Sequence, residues 1–140
     1  MSQENVELVR AVFEAWNARD LDTLRELYDR NVIVWATEDW PEPGPFLGRD
    51  AVIRQGEQLS ETWDDVTLEP VGDLIDAGDR VAVRHVWRTI GRGPESSNPE
   101  FTLIVTIRRG KVFAFEYFRD HAEVLEILGL SGQDVHINSS

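Results

Sequence analysis

With 140 residues, 26 acidic against 14 basic side chains and a formal charge of −12, the chain has the length of one cored domain. Its charge has the wrong sign for nucleic acid or an anionic membrane, since both need clustered Lys and Arg to neutralise phosphate. Cysteine is absent, which excludes disulfides and thiol chemistry and suits a reducing cytosol, where we expect the protein.

The opening MSQENVELVR is acidic and unlike a signal peptide, and no apolar run is long enough to span a membrane. Val9, Val12, Phe13 and Trp16 recur at helical spacing and predict a helix over 4–17, with Ser2 as cap and Glu4 and Glu7 at its positive end. Asp20 is set to cap a second helix whose apolar stripe is Leu21, Leu24, Leu27 and Tyr28; a short strand over 32–35 follows. Residues 37–48 hold Pro41, Pro43 and Pro45 and are expected to be loop. Trp40 and Phe46 in that loop are apolar groups that a solvated connector does not need, so Trp40 is expected to cover a pocket mouth. Asp50 is the expected cap of a third helix over 51–63, with Val52, Ile53, Leu59 and Trp63 facing inward. Strands are expected over 66–76 and 80–90, on either side of the turn signal at 76–79. In the second, Val81, Val83, His85, Trp87 and Thr89 alternate with Ala82, Arg84, Val86, Arg88 and Ile90. A polar hairpin loop fills 91–99.

The stretch from Phe101 to Arg119 predicts a β-hairpin turning at Arg109-Gly110. A two-residue loop sets Arg108 opposite Lys111, Thr106 opposite Phe113, Ile104 opposite Phe115 and Thr102 opposite Tyr117. One face then holds Thr102, Ile104, Thr106, Phe113, Phe115, Tyr117 and Arg119. The other holds Phe101, Leu103, Val105, Ile107, Val112, Ala114, Glu116 and Phe118. Both are largely apolar, so each needs a partner: helices on one side, a second subunit on the other. We expect a homodimer through the face of Leu103, Val105, Ile107, Ala114 and Phe118, with Glu116 and Arg88 forming ion pairs nearby. Asp120 and Glu123 make a capping box for a last helix ended by Gly129, and 131–140 is a polar tail. The whole predicts a single α+β domain over 1–130, helices first and then a mostly antiparallel sheet.

Chemical motifs are sparse. His85, His121 and His136 lack paired ligand spacing, so no metal is expected, and no glycine-rich phosphate loop implies a nucleotide cofactor. The pairs Glu38-Asp39 and Asp64-Asp65 have the look of solvated carboxylates. His85 stands mid-strand beside Trp87: either a half-buried histidine satisfied by a carbonyl, or a proton carrier in a cavity. Five tryptophans suit a roomy apolar pocket lined by flat rings.

Taken in order, FEAWNARDLDTLRELYDRNV, FLGRDAV, GDRVAV and RRGKVFAFEYFRD resemble the nuclear transport factor 2-like superfamily, and within it the SnoaL-like proteins, over nearly the whole chain. The resemblance implies a cone-shaped, cystatin-like fold, a curved sheet wrapped round three helices with a pocket between, often dimeric through the sheet's outer face. Members include polyketide cyclases, limonene-epoxide hydrolases and ketosteroid isomerases as well as binding domains, so fold leaves function open. Position by position, the last-strand aspartate of cyclases and epoxide hydrolases falls at Tyr117. The isomerase base falls at Ala36, its oxyanion tyrosine at Val12 and its protonated aspartate near Ile104. The epoxide hydrolase pair falls at Val34 and Ala36, and its arginine at Arg84, or at His85 with one gap.

The sequence therefore predicts a pocket for a small apolar molecule, without a cofactor, lined by Trp16, Val34, Trp40, Trp87, Phe113 and Phe115, with His85, Tyr117 and Arg119 as polar groups. As an enzyme it would use His85 for proton transfer and Tyr117 to steady an oxyanion, worth roughly 10² to 10⁴ in rate for the acid–base part. The rival is a non-catalytic binding domain. A further alternative turns Arg84 inward and His85 out.

Overall fold

A computed structural model describes residues 2–36, 44–62, 67–88 and 100–129. The expectations for Trp40, Trp63, the loop over 91–99 and the tail lie outside these residues. Among the described residues there are four helices and seven strands, arranged as an α+β cone.

Helix α1 (Ser2–Asn17) starts two residues earlier than expected, and its apolar stripe Val9, Val12 and Phe13 is buried. The chain reverses through Arg19, at a left-handed φ of 57°, into α2 (Leu21–Leu27), where the Asp20 carboxylate accepts from the Thr23 amide at 3.2 Å. Tyr28 does not extend α2. It turns extended and opens β1 (Tyr28–Trp35), burying Tyr28, Val32 and Val34 on the inner face. β1 is longer than its apolar core because Asp29, Arg30 and Asn31 carry no strand signal. A two-residue β2 (Phe46–Leu47) pairs with β1.

Helix α3 (Arg49–Thr62) begins one residue before its expected cap. Asp50 lies in the first turn, bound to Arg25 at 2.6 Å, and the Gly48 carbonyl accepts from the Val52 amide at 3.0 Å. The strand expected over 66–76 divides into β3 (Thr67–Pro70) and β4 (Ile75–Ala77), broken near Gly72 at φ 75°. Both pair with β5 (Arg80–Arg88), which pairs with β6 (Glu100–Arg108), and that with β7 (Lys111–Phe118). The order is β2-β1-β7-β6-β5-β3; β1 and β7 run parallel, and every other pairing is antiparallel.

The hairpin turns where expected, with Arg109 and Gly110 at φ 52° and 75° and Arg108 opposite Lys111. Its register then departs from the expectation. Ile107 pairs with Val112 but Thr106 with Ala114, so Phe113 is an extra, unpaired residue. Beyond that bulge Leu103 faces Tyr117 and Val105 faces Phe115. One inserted residue swaps the face of all that follows.

Leu103, Val105 and Ile107 accordingly pack into the main core with the helices and cannot form the outer dimer face expected of them. Burying side chains of this size contributes about 1.5–3 kcal/mol each. The outer face carries Ala82, Ile104, Ala114 and Phe118, and α4 (His121–Ile127) lies across part of it, with Val124 fully buried on Ala82 and Ile104. Asp120 caps α4 by accepting from the Ala122 amide at 2.9 Å. Arg88 pairs with Glu69 and not with Glu116.

Candidate functional site

Strand β5 presents its odd residues inward: Val81, Val83 and Trp87 join the core, and His85 has no exposed surface. Arg84 points to the outer face and pairs with Glu100 at 2.5 Å, so it does not meet the cavity residues. Both nitrogens of His85 are engaged. The Trp87 indole N–H donates to Nε2 at 3.1 Å, and Nδ1 lies 3.2 Å from the Val83 carbonyl. An indole N–H can only donate, so Nε2 carries no proton and Nδ1–H donates to the carbonyl. The ring is the neutral tautomer. Burial beside Phe13, whose ring meets it edge-on at 5.3 Å, penalises the imidazolium and lowers the pKa from 6.5 to about 4.

A cavity of about 40 Å³ lies between α1, α3 and the inner sheet face. Helix α1 supplies Val12, Phe13 and Trp16; α3 supplies Val52, Gln55 and Gly56; the sheet supplies Tyr28, Val34, Leu68, Trp87, Leu103, Phe115 and Tyr117. Beside it, between α1, α2 and α3, a hollow of about 240 Å³ is lined by Trp16, Arg19, Leu21, Leu24, Tyr28, Val52, Ile53, Gly56 and Glu57. Trp16, Tyr28, Val52 and Gly56 border both spaces. Gly56 brings the helix close: a Cβ there would stand 3.5 Å from the Trp16 Nε1.

Of the residues singled out in the sequence, Trp16, Val34, Trp87, Phe115 and Tyr117 meet around the cavity. His85 is tied to one of them but is not itself in the lining; its ring centre is 6.1 Å from that of Tyr117. Phe113, displaced by the bulge, lies under the Arg108 guanidinium at 4.0 Å, and Arg119 lies over Phe101 at 4.8 Å. Neither borders the cavity. Sequence reasoning missed Tyr28, Gln55 and Gly56. Tyr28 follows Leu24 by four residues, which disguised an inward strand residue as the last step of a helical stripe.

Among the described residues, the two tyrosines carry the only hydroxyl groups in the inner lining. Desolvation pushes the Tyr117 phenol up to about 12, and burial with Tyr117 nearby raises Tyr28 above its ordinary value, so both remain protonated donors at neutral pH. Among the described residues, none lining the inner cavity is acidic or basic. Among the described residues no three His, Asp or Glu side chains converge on a metal-sized point, and no helix is long and apolar enough to cross a membrane.

A model of the SnoaL-like domain matches residues 9–115. The chain belongs to the SnoaL-like family. No functionally curated protein matches it in sequence. Solved structures share the fold: Bal32a, from a soil-derived mobile gene cassette, aligns at a TM-score of 0.76 and 22% identity, over 83% of this chain and 88% of its own. An NTF2-like protein of unknown function from Burkholderia pseudomallei gives 0.69 and 23%, over 89% and 97%. TerC, co-crystallised with polyporic acid, gives 0.72 and 20%, over 90% and 98%. Within this SnoaL-like domain, the positions matched to family catalysts hold Tyr117 and Val12 at the cavity, whereas Ile104 faces the outer side under α4.

Proposed function

We propose that this SnoaL-like domain binds a small, largely apolar organic molecule in the paired hollows, and that His85 holds Trp87 in place and does not transfer protons. The observation that carries this reading is the inner lining itself: aromatic and aliphatic walls, with two neutral phenols, Gln55 and the indoles of Trp16 and Trp87 as the only polar side chains among the described residues. A proton-transfer site at neutral pH needs a group that ionises near 7, and His85, held near 4 with its basic nitrogen against an indole N–H, is not poised for it.

The test is binding in native protein and in a Gly56→Trp variant, whose added ring would occupy space at a residue that lines both hollows. Polyporic acid, the molecule crystallised with TerC, belongs in the first panel of compounds. Saturable binding lost in Gly56→Trp supports the reading; binding unchanged in that variant, or absent altogether, removes it. The 6.1 Å approach of His85 to Tyr117 favours a second reading, an enzyme of isomerase, cyclase or hydrolase type using that pair. Any turnover found in native protein and abolished by His85→Gln, with affinity kept within about tenfold, or roughly 1.4 kcal/mol, would replace the first reading with this one.

Self-association through the outer sheet face belongs to the same proposal, on a different patch from the one expected. Helix α4 leaves Trp35 and Leu47 41% and 64% exposed there. Sedimentation velocity at micromolar concentration decides it, a monomer counting against.

A further inference from the structure

We propose that Tyr28 and Tyr117 form a two-phenol clamp for a single carbonyl oxygen, so that the ligand is a neutral molecule with a carbonyl at the inner end of a flat, apolar body. This deepens the binding reading above and rests on it. The two phenols come from neighbouring strands, β1 and β7, and Phe115 links them, one residue pair before Tyr117 on its own strand and edge-on to Tyr28 at 5.4 Å. Both residues line the same cavity.

Size assigns the pose. The inner cavity of about 40 Å³ admits a group the size of one water or a little more, which suits a carbonyl and not a ring. The hollow of about 240 Å³ holds a benzene-sized or naphthalene-sized body between the Trp16 indole, Leu24 and Ile53. A ligand lying along Trp16, Tyr28, Val52 and Gly56, the residues that both spaces share, would fill both. Donor chemistry then selects the inner group. The Trp87 N–H is committed to His85, which leaves phenol hydroxyls as the hydrogen donors on the sheet side. A carbonyl oxygen has two lone pairs and takes two such bonds; a hydrocarbon end would leave both phenols facing apolar surface. A carboxylate would be buried there with no cation among the described lining residues to balance it.

Among the described residues no carboxylate or basic nitrogen lines the inner cavity, where the clamp would polarise the carbonyl, and Ala36 and Val34 stand at the strand-one positions where relatives are expected to hold polar groups; Glu57 borders the outer hollow. Binding without turnover is the outcome the residues support.

Three probes of similar shape separate the contributions: acetophenone has the carbonyl, ethylbenzene lacks it, and benzoate adds a charge. Affinities read by chemical-shift titration should favour acetophenone over ethylbenzene by about tenfold, as two modest hydrogen bonds would give, and over benzoate by at least as much. Tyr28→Phe and Tyr117→Phe keep the rings, and each should cut the preference to about threefold while leaving ethylbenzene unchanged. The carbonyl stretch of acetophenone bound to the native protein should move to lower frequency than in hydrocarbon solvent, a readout that needs no variant. Equal binding of acetophenone and ethylbenzene, or a preference that survives both phenylalanine variants, overturns the clamp and leaves the pocket standing. Failure of all three probes to bind overturns the clamp and counts against the pocket with it.

Discussion

Acid should weaken this protein chiefly through His85, and the size of the effect follows from its surroundings. His85 is fully enclosed, its two nitrogens are matched as the neutral ring, and its pKa is lowered from 6.5 to about 4 by burial. Below pH 6.5 the unfolded chain takes up a proton at this position that the native chain refuses until about pH 4. The extra proton belongs to the unfolded state, so stability falls as pH falls across that window and stops falling on this account below it. The displacement of the pKa corresponds to roughly 3 kcal/mol in full, and about 2 kcal/mol is already lost at pH 5. That is a large share of the stability of a typical domain. Urea unfolding followed by tryptophan fluorescence at pH 7.5, 6.5, 5.5 and 4.5 measures it. His121, whose pKa is also lowered by desolvation, adds a contribution of the same sign, so the decisive quantity is a difference between proteins. His85→Gln can accept from Trp87 and donate to the Val83 carbonyl but cannot titrate. Its stability should decline less than the native protein's by roughly 2–3 kcal/mol over this range. Parallel pH profiles for the two proteins would refute the neutral, buried imidazole.

Three further outcomes are expected. Gly56→Ala should stabilise the fold by about 1 kcal/mol in chemical denaturation, because its Cβ would meet Trp16 at an ordinary 3.5 Å and the helix gains from losing a glycine. Asn17→Ala should cost about 1–3 kcal/mol in the same assay, since its side chain donates to the Leu68 carbonyl at 2.9 Å and accepts from the Leu68 amide at 2.8 Å. Arg84→Ala, which removes a half-exposed ion pair with Glu100, should change stability by no more than about 1 kcal/mol and leave acetophenone affinity unaltered.

Much of this fold was legible because its signals are local. The period of Val9, Val12 and Phe13, the cap at Asp20, the Arg109-Gly110 turn and the cap at Asp120 each depend on residues within one turn of chain. The alternation of β5 likewise gave the correct inward phase for Trp87. Legibility failed where one residue changed a phase. Phe113 has the same β-forming character as its neighbours, so nothing in its side chain marks it as the insertion that moves Leu103 and Val105 inward. Tyr28 satisfies a helical period and a strand period alike, and the choice between them rests on where α2 stops. The site suffered for the same reason: of Phe113, Phe115, Tyr117 and Arg119, expected together on one wall, only Phe115 and Tyr117 border the cavity among the described residues, their partners across β6 were misplaced, and Tyr28 was overlooked.

Asn17 has a second consequence, for the behaviour of the protein in crowded solution. β3 ends the sheet, and its Leu68 amide and carbonyl point away from β5 towards the open side, where another extended chain could add on. The Asn17 amide occupies both groups, acting as a strand one residue long. Two positions on, Pro70 offers no N–H to recruit a partner. The exposed rim of the sheet is thus sealed from within the same chain, by an asparagine at one end of a helix and a proline at the end of a strand. An Asn17→Ala protein would still carry its core, but it would present a free hydrogen-bonding edge, and its first symptom on concentration should be ordered, thioflavin-positive self-association.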